Sequence, residues 1–403
     1  MNASNSPPIE ASIDDDRLAQ ARQRLDRLEL YIRSDPANGA LLIDAFETAL
    51  SCRAWNRAQF HLQHGQSLDT DPWGWRLREG DFWLAQGRYE EAMAILEALA
   101  VASARPPSLG PVLVHNLAFV EFRQARYGEC AARLASVMED ERIAVSTPEI
   151  PPSPIDRALQ VLWLRALHHD GQVERAMHWV MTAERHRLLD PYAAGIASLI
   201  ALDASDLNAA QRWSAKASSN SAAGAPAVET LTTMASLALG QRDEQRARGL
   251  IETALRLQPT DGRLWSLQGF TDMLGGHPSA AIVSFRRALV GMPAHIATWH
   301  GQGWAQVMTG DLAGAVASFQ AALELDRELA ESHAGLAVAS AMQGQSDDAR
   351  QHAELALERE PGNLAAGYAR SLLSGKRQDT EEIQKVAKQL LGNFAVSSLG
   401  KND

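Results

Sequence analysis

The sequence predicts an all-α fold, a solenoid of antiparallel helix pairs bent into a superhelix, and two observations carry that reading. Ala247, Ala281, Ala315 and Ala349 recur at an ungapped interval of 34 residues, and Ala254, Ala288, Ala322 and Ala356 recur at the same interval. A fixed period of this size is the mark of stacked repeats, each of which buries its apolar face against the next. The second series lies seven residues after the first, two helical turns on, so both share one face of a helix. Small side chains there let a neighbouring helix come close.

The elements follow in chain order. Residues 1–12, rich in Ser, Asn, Pro and Asp, are too polar to fold alone and read as a disordered tail. Residues 13–38 give a charged, amphipathic capping helix. Five degenerate units fill 39–224. Trp55 and Ala58 mark one at 39–72; Gly80, Gly87, Tyr89 and Ala92 one at 73–106; Ala118, Tyr127 and Cys130 one at 111–144. Trp163, Gly171 and Ala176 place another at 157–190, and Leu207 with Ala210 one at 191–224. "PPSLG" at 106–110 and a proline-rich connector at 145–156 interrupt them, because clustered prolines forbid regular helix. A Ser/Ala-rich run, 217–227, precedes four regular units over 228–363. A capping helix pair over 364–395 and a flexible tail, 396–403, close the chain.

Within the regular units Trp265, Trp299 and Leu231 open the first helix, Gly269, Gly303, Ala235 and Ala337 supply its small residue, and Pro259, Pro293 and Pro361 close three units. This pattern resembles the tetratricopeptide repeat. The resemblance implies a non-catalytic protein-binding scaffold, adaptor or chaperone, with a concave groove lined by positions 2, 5, 9, 12 and 13 of each unit.

Carried over residue by residue, the groove comprises Phe270 and Met273, then His300, Trp304 and Met308, then Val338 and Met342, an apolar surface made adaptable by its methionines. Upstream the same positions hold His115, Phe119, Phe122 and Arg123, then Val161, Arg165, His168 and His169. That stretch mixes aromatic with basic or titratable groups. No lysine stands where the family's carboxylate clamp needs one. Trp265 and Trp299 occupy the family's packing slot, and Trp83 and Trp163 are likewise read as core packing, whereas Trp304 lies off that slot and is expected to face the groove.

Composition bounds the function. With 49 acidic against 38 basic residues the net charge is -11, which argues against nucleic-acid binding and anionic membranes. Cys52 and Cys130 make no disulfide framework, the N-terminal stretch lacks a secretory leader, and no run of about 20 apolar residues spans a bilayer. A cytoplasmic protein is expected. His61 with His64, and His168 with His169, are the closest histidine pairs, but no HExxH, CxxC or phosphate loop accompanies them. The sequence therefore predicts no enzyme, no metal and no cofactor.

The expected partner is a protein presenting a hydrophobic or amphipathic segment, by analogy one serving a bacterial secretion, pilus or envelope assembly. A second reading makes the chain a structural subunit using its convex face or ends, its groove filled by the helical pattern at 380–395. A third makes it a substrate-presenting subunit of an enzyme, or a metal-binding protein.

Overall fold

The computed structural model describes residues 9–68, 70–139, 153–219 and 226–375. Helix α1 (Ile9–Ser34) is followed by nine pairs. They are α2 (Gly39–Ser51) with α3 (Trp55–Ser67), α4 (Pro72–Ala85) with α5 (Tyr89–Val101), and α6 (Gly110–Arg123) with α7 (Tyr127–Met138). Next come α8 (Pro154–His169) with α9 (Val173–Arg185), α10 (Pro191–Asp203) with α11 (Leu207–Ser218), and α12 (Val228–Gly240) with α13 (Glu244–Leu257). The last are α14 (Gly262–Leu274) with α15 (Pro278–Gly291), α16 (Ile296–Thr309) with α17 (Leu312–Leu325), and α18 (Ala330–Gln343) with α19 (Ser346–Arg359), before α20 (Leu364–Leu373). No strand occurs among the described residues.

Local chemistry sets the helix ends. Asn38, Asp71, Asp190, Asp206, Asp243, Asp261, Asp311 and Asn363 each accept a backbone N–H of the helix they precede. These caps satisfy donors that the first turn leaves without partners. Within every pair the chain reverses through one left-handed residue, one or two positions past the first helix. It is glycine at 87, 171, 276, 310 and 344, but Arg53, Ala125, Ser205 and Arg242 in the other four pairs. The amide after that turn then reaches back to the preceding helix, as from Arg126 N to Glu121 O at 2.9 Å and from Asp311 N to Gln306 O at 2.9 Å.

Two boundaries differ from the sequence reading. Helix α1 starts at Ile9, inside the stretch assigned to a tail; from Ile9 to Ser34 the sequence carries no proline to interrupt it. Helix α8 starts at Pro154, inside the connector assigned to 145–156. Proline suits a first helical position, and Ser153 with Asp156 forms a capping box around it. The rest of that connector, the start of the tail, the second C-terminal capping helix and the residues 380–395 considered as an internal ligand lie outside the described residues. "PPSLG" forms a short 3₁₀ turn, Pro107–Leu109, leading into α6.

The described chain divides into two compact units. Unit 1 runs to Gln172 and includes Thr182–Leu188; unit 2 comprises Val173–Met181 and the chain from Leu189. In unit 1 the core begins with Leu25, Leu42, Phe46, Trp75 and Phe82 and continues through Leu96, Leu113 and Leu117. In unit 2 all eight periodic alanines are fully buried. Phe285 and Phe319, also 34 residues apart, wedge between successive first helices. A β-carbon built at Gly269 would lie 2.5 Å from the Phe285 ring, and one at Gly335 the same distance from Phe319. Glycine is therefore required where each ring enters.

Candidate partner-binding face

The structure separates the expected groove residues into two groups. In unit 2, Phe270, Met273, His300, Trp304 and Val338 are all buried, with Trp304 only 2% exposed. Trp304 meets Phe319 edge-on at 5.6 Å, and Phe270 meets Phe285 in the same way at 5.0 Å. These side chains fill seams between helices, so they do not form an open apolar groove. Met308 and Met342 are half-buried beside them.

Two hydrogen bonds between buried side chains link successive first helices on this side. Ser266 and Thr298 share a hydrogen bond of 2.8 Å, and His300 Nε2 lies 2.8 Å from Ser332 Oγ. Burial pushes the His300 pKa down to about 4, so it is a neutral core residue and not the open groove residue the sequence implied. Trp299 is the reverse case. Only half-buried, it donates its indole N–H to Pro293 O at 2.8 Å, as Trp265 donates to Pro259 O at 2.7 Å. The recurrent tryptophan clasps a loop, while the one off the recurrent slot packs the core.

Unit 1 keeps its upstream candidates accessible. Phe119, Phe122 and Arg165 are half-buried and Arg123 is exposed. His115 stacks on Phe119 with rings 6.1 Å apart and 8° from parallel, and the Arg123 guanidinium lies 5.9 Å from the Phe119 ring centre. Phe122 packs edge-on against Tyr127 at 5.2 Å and His169 at 5.6 Å, and those two rings stack on each other at 4.8 Å. Because α6 presents residues at 115, 119 and 122 to one side, an i, i+4, i+7 spacing, a single helix face carries the aromatic surface.

A polar chain adjoins it. Asn116 donates its amide to Asp81 Oδ1 on α4 at 2.9 Å, which leaves the Asn116 oxygen to accept from His115 Nδ1 at 3.0 Å. Burial raises the Asp81 carboxyl to about 6; Glu47 on α2 adds to the rise and Arg78 opposes it. Burial lowers the pKa of His115. Sequence reasoning missed Asp81, Asn116 and Glu47, although extending the groove frame to 39–72 and 73–106 puts Glu47 and Asp81 at the position that Phe119 holds in 111–144.

Among the described residues no set of three or more His, Cys, Asp or Glu side chains is placed to hold a metal ion. Cys52 and Cys130 are buried free thiols, and burial pushes Cys130 up to about 12. No described helix is long and apolar enough to cross a membrane.

No family model matches the chain, and no curated protein sequence matches it. Among solved structures it is similar to the APC/C hetero-tetramer Cut9-Hcn1, at 12% identity over 82% of this chain and 62% of that one, with a TM-score of 0.52. The chain thus spans less than two thirds of that structure's length. It is also similar to the human IFIT1 dimer with PPP-AAAA, at 16% identity over 95% and 92% of the two chains and a TM-score of 0.45. YrrB, a TPR protein with an unusual peptide-binding site, aligns at 16% identity over 53% of this chain and 92% of that one, with a TM-score of 0.34. The fold is the tetratricopeptide-like solenoid of helix pairs.

Proposed function

We propose that this chain is a non-catalytic protein-interaction scaffold whose partner lies on the face of unit 1 formed by α4, α6 and α8. One observation carries the reading: Phe119, Phe122 and Arg123 remain accessible together on α6, while Leu113, Leu117 and Val120 of the same helix are buried. Partly exposed aromatics beside an arginine are the side chains that most often dominate a protein interface. Stacked helix pairs suit an extended or helical partner segment. The acidic net charge favours protein over nucleic acid, and an adaptor or chaperone acting in the cytoplasm fits the two buried thiols.

Quantitative affinity capture from native extract tests this with the Phe119→Ala and Arg123→Glu variants. Loss of the same co-purifying protein from both, with their cooperative melts kept, is the expected outcome. Undiminished recovery with both variants would refute the assignment of this face.

A further inference from the structure

The face of unit 1 is chemically directional. At one end Asp81 accepts a single hydrogen bond, from Asn116 to Oδ1, and its Oδ2 accepts none from the described residues. Burial and Glu47 disfavour the ionised form of Asp81, and Arg78, which makes no hydrogen bond to it, offsets them only in part. At the other end Arg123 is exposed and has no carboxylate partner among the described residues. Phe119 and Phe122 lie between them on α6. From Asn116 to Arg123 is seven residues of helix, about 10 Å, which an extended segment covers in three or four steps of about 3.3 Å, so in about four or five residues.

We propose that this face recognises a protein segment carrying a lysine or arginine, then an aromatic or large apolar residue, then an aspartate or glutamate, spaced over about five residues. The cationic side chain docks on Asp81 beside Asn116, the apolar one on Phe119 and Phe122, and the acid on Arg123. Charge complementarity selects this occupant: a half-buried carboxylate with an open oxygen gains a partner from a cation, and an exposed guanidinium gains one from a carboxylate. A purely hydrophobic segment would leave both unanswered, at a cost in affinity.

This inference rests on the proposed binding face but has its own test. Fluorescence anisotropy on the full chain compares a labelled Lys-Ala-Trp-Ala-Glu peptide with versions carrying norleucine for Lys, or Gln for Glu. Each is measured against wild type, Asp81→Asn and Arg123→Gln. Norleucine is expected to weaken binding to wild type about tenfold yet change little with Asp81→Asn, and Gln is expected to do the same through Arg123→Gln. Equal losses on wild type and variants, or no binding of the parent peptide, would overturn the charge assignment. Neither result touches the binding face, which stands or falls on capture of the native partner. Displacement of the parent peptide by an equimolar oligouridylate would also overturn it, in favour of a nucleic-acid ligand.

Discussion

Asn116 joins α6 to α4 by donating its side-chain amide to Asp81 at 2.9 Å, and through its own oxygen it fixes His115 under the Phe119 ring. The bond positions an aromatic surface and a carboxylate in one place. It also ties a stability cost to that place, because the carboxylate is held at about 6.

The sign of that cost follows from linkage. The folded pKa lies above the unfolded value near 3.8, so the stabilising contribution is present at acid pH and is lost as pH rises through about 6. Asp81→Asn, close in shape and uncharged, should therefore stabilise the fold by about 1 kcal/mol at pH 8, where solvent reaching the half-buried group reduces the full linkage, and by little at pH 4. Denaturant midpoints at the two pH values check it. A variant less stable than wild type at pH 8 would contradict the assignment.

His300 has the opposite linkage. Its folded pKa, about 4, lies below the unfolded value near 6.5, so acid favours the unfolded chain. Burial also lowers His333 and His352, whose Nδ1 atoms lie 3.0 Å apart, and protonation of either has the same sign. Stability should fall between pH 6.5 and 4, with about 3 kcal/mol of the loss from His300. Equilibrium unfolding across that range, with the His300 ring signals followed by NMR, should show no His300 titration above pH 5.

The two tryptophans of α16 should respond unequally. Trp304→Ala removes a fully enclosed indole and should cost about 4 kcal/mol. Trp299→Phe keeps a half-buried ring and loses one hydrogen bond to Pro293, about 1 kcal/mol. Comparable midpoint shifts in urea would show that the two are not distinguished as the structure indicates.

The shared left-handed turn gives a stabilising change. Ala125 adopts φ 58° where five pairs carry glycine, a conformation that costs a non-glycine residue about 1 kcal/mol. Ala125→Gly should raise stability by up to that amount, and Gly310→Ala, at φ 79°, should lower it similarly. Calorimetry on both variants measures the pair.

The fold was legible because its determinants are periodic. Alanines 34 residues apart and glycines facing Phe285 and Phe319 record how closely the helices approach, and that spacing survives in the sequence. Accessibility was not legible in the same way: of the expected groove residues, Phe119, Phe122, Arg123 and Arg165 are partly open and those of unit 2, apart from Met308 and Met342, are not. The groove frame says which side of a helix a residue takes but not whether neighbouring helices close over it, so Trp304, Phe270 and Val338 looked accessible and are not. Asp81 escaped notice for a related reason: an isolated aspartate in a degenerate unit shows neither its burial nor its Asn116 partner until α4 and α6 are placed side by side.

The proposed partner contact lies on the open face of unit 1. Photo-crosslinking in the native cell tests it most directly, with benzoylphenylalanine replacing Phe122 on that face or Glu129, exposed on α7, as the control. A discrete adduct from position 122, absent at 129 and abolished by Arg123→Glu, is the expected result. Adducts from 129 alone, or adducts at 122 that persist unchanged with Arg123→Glu, would contradict the claim.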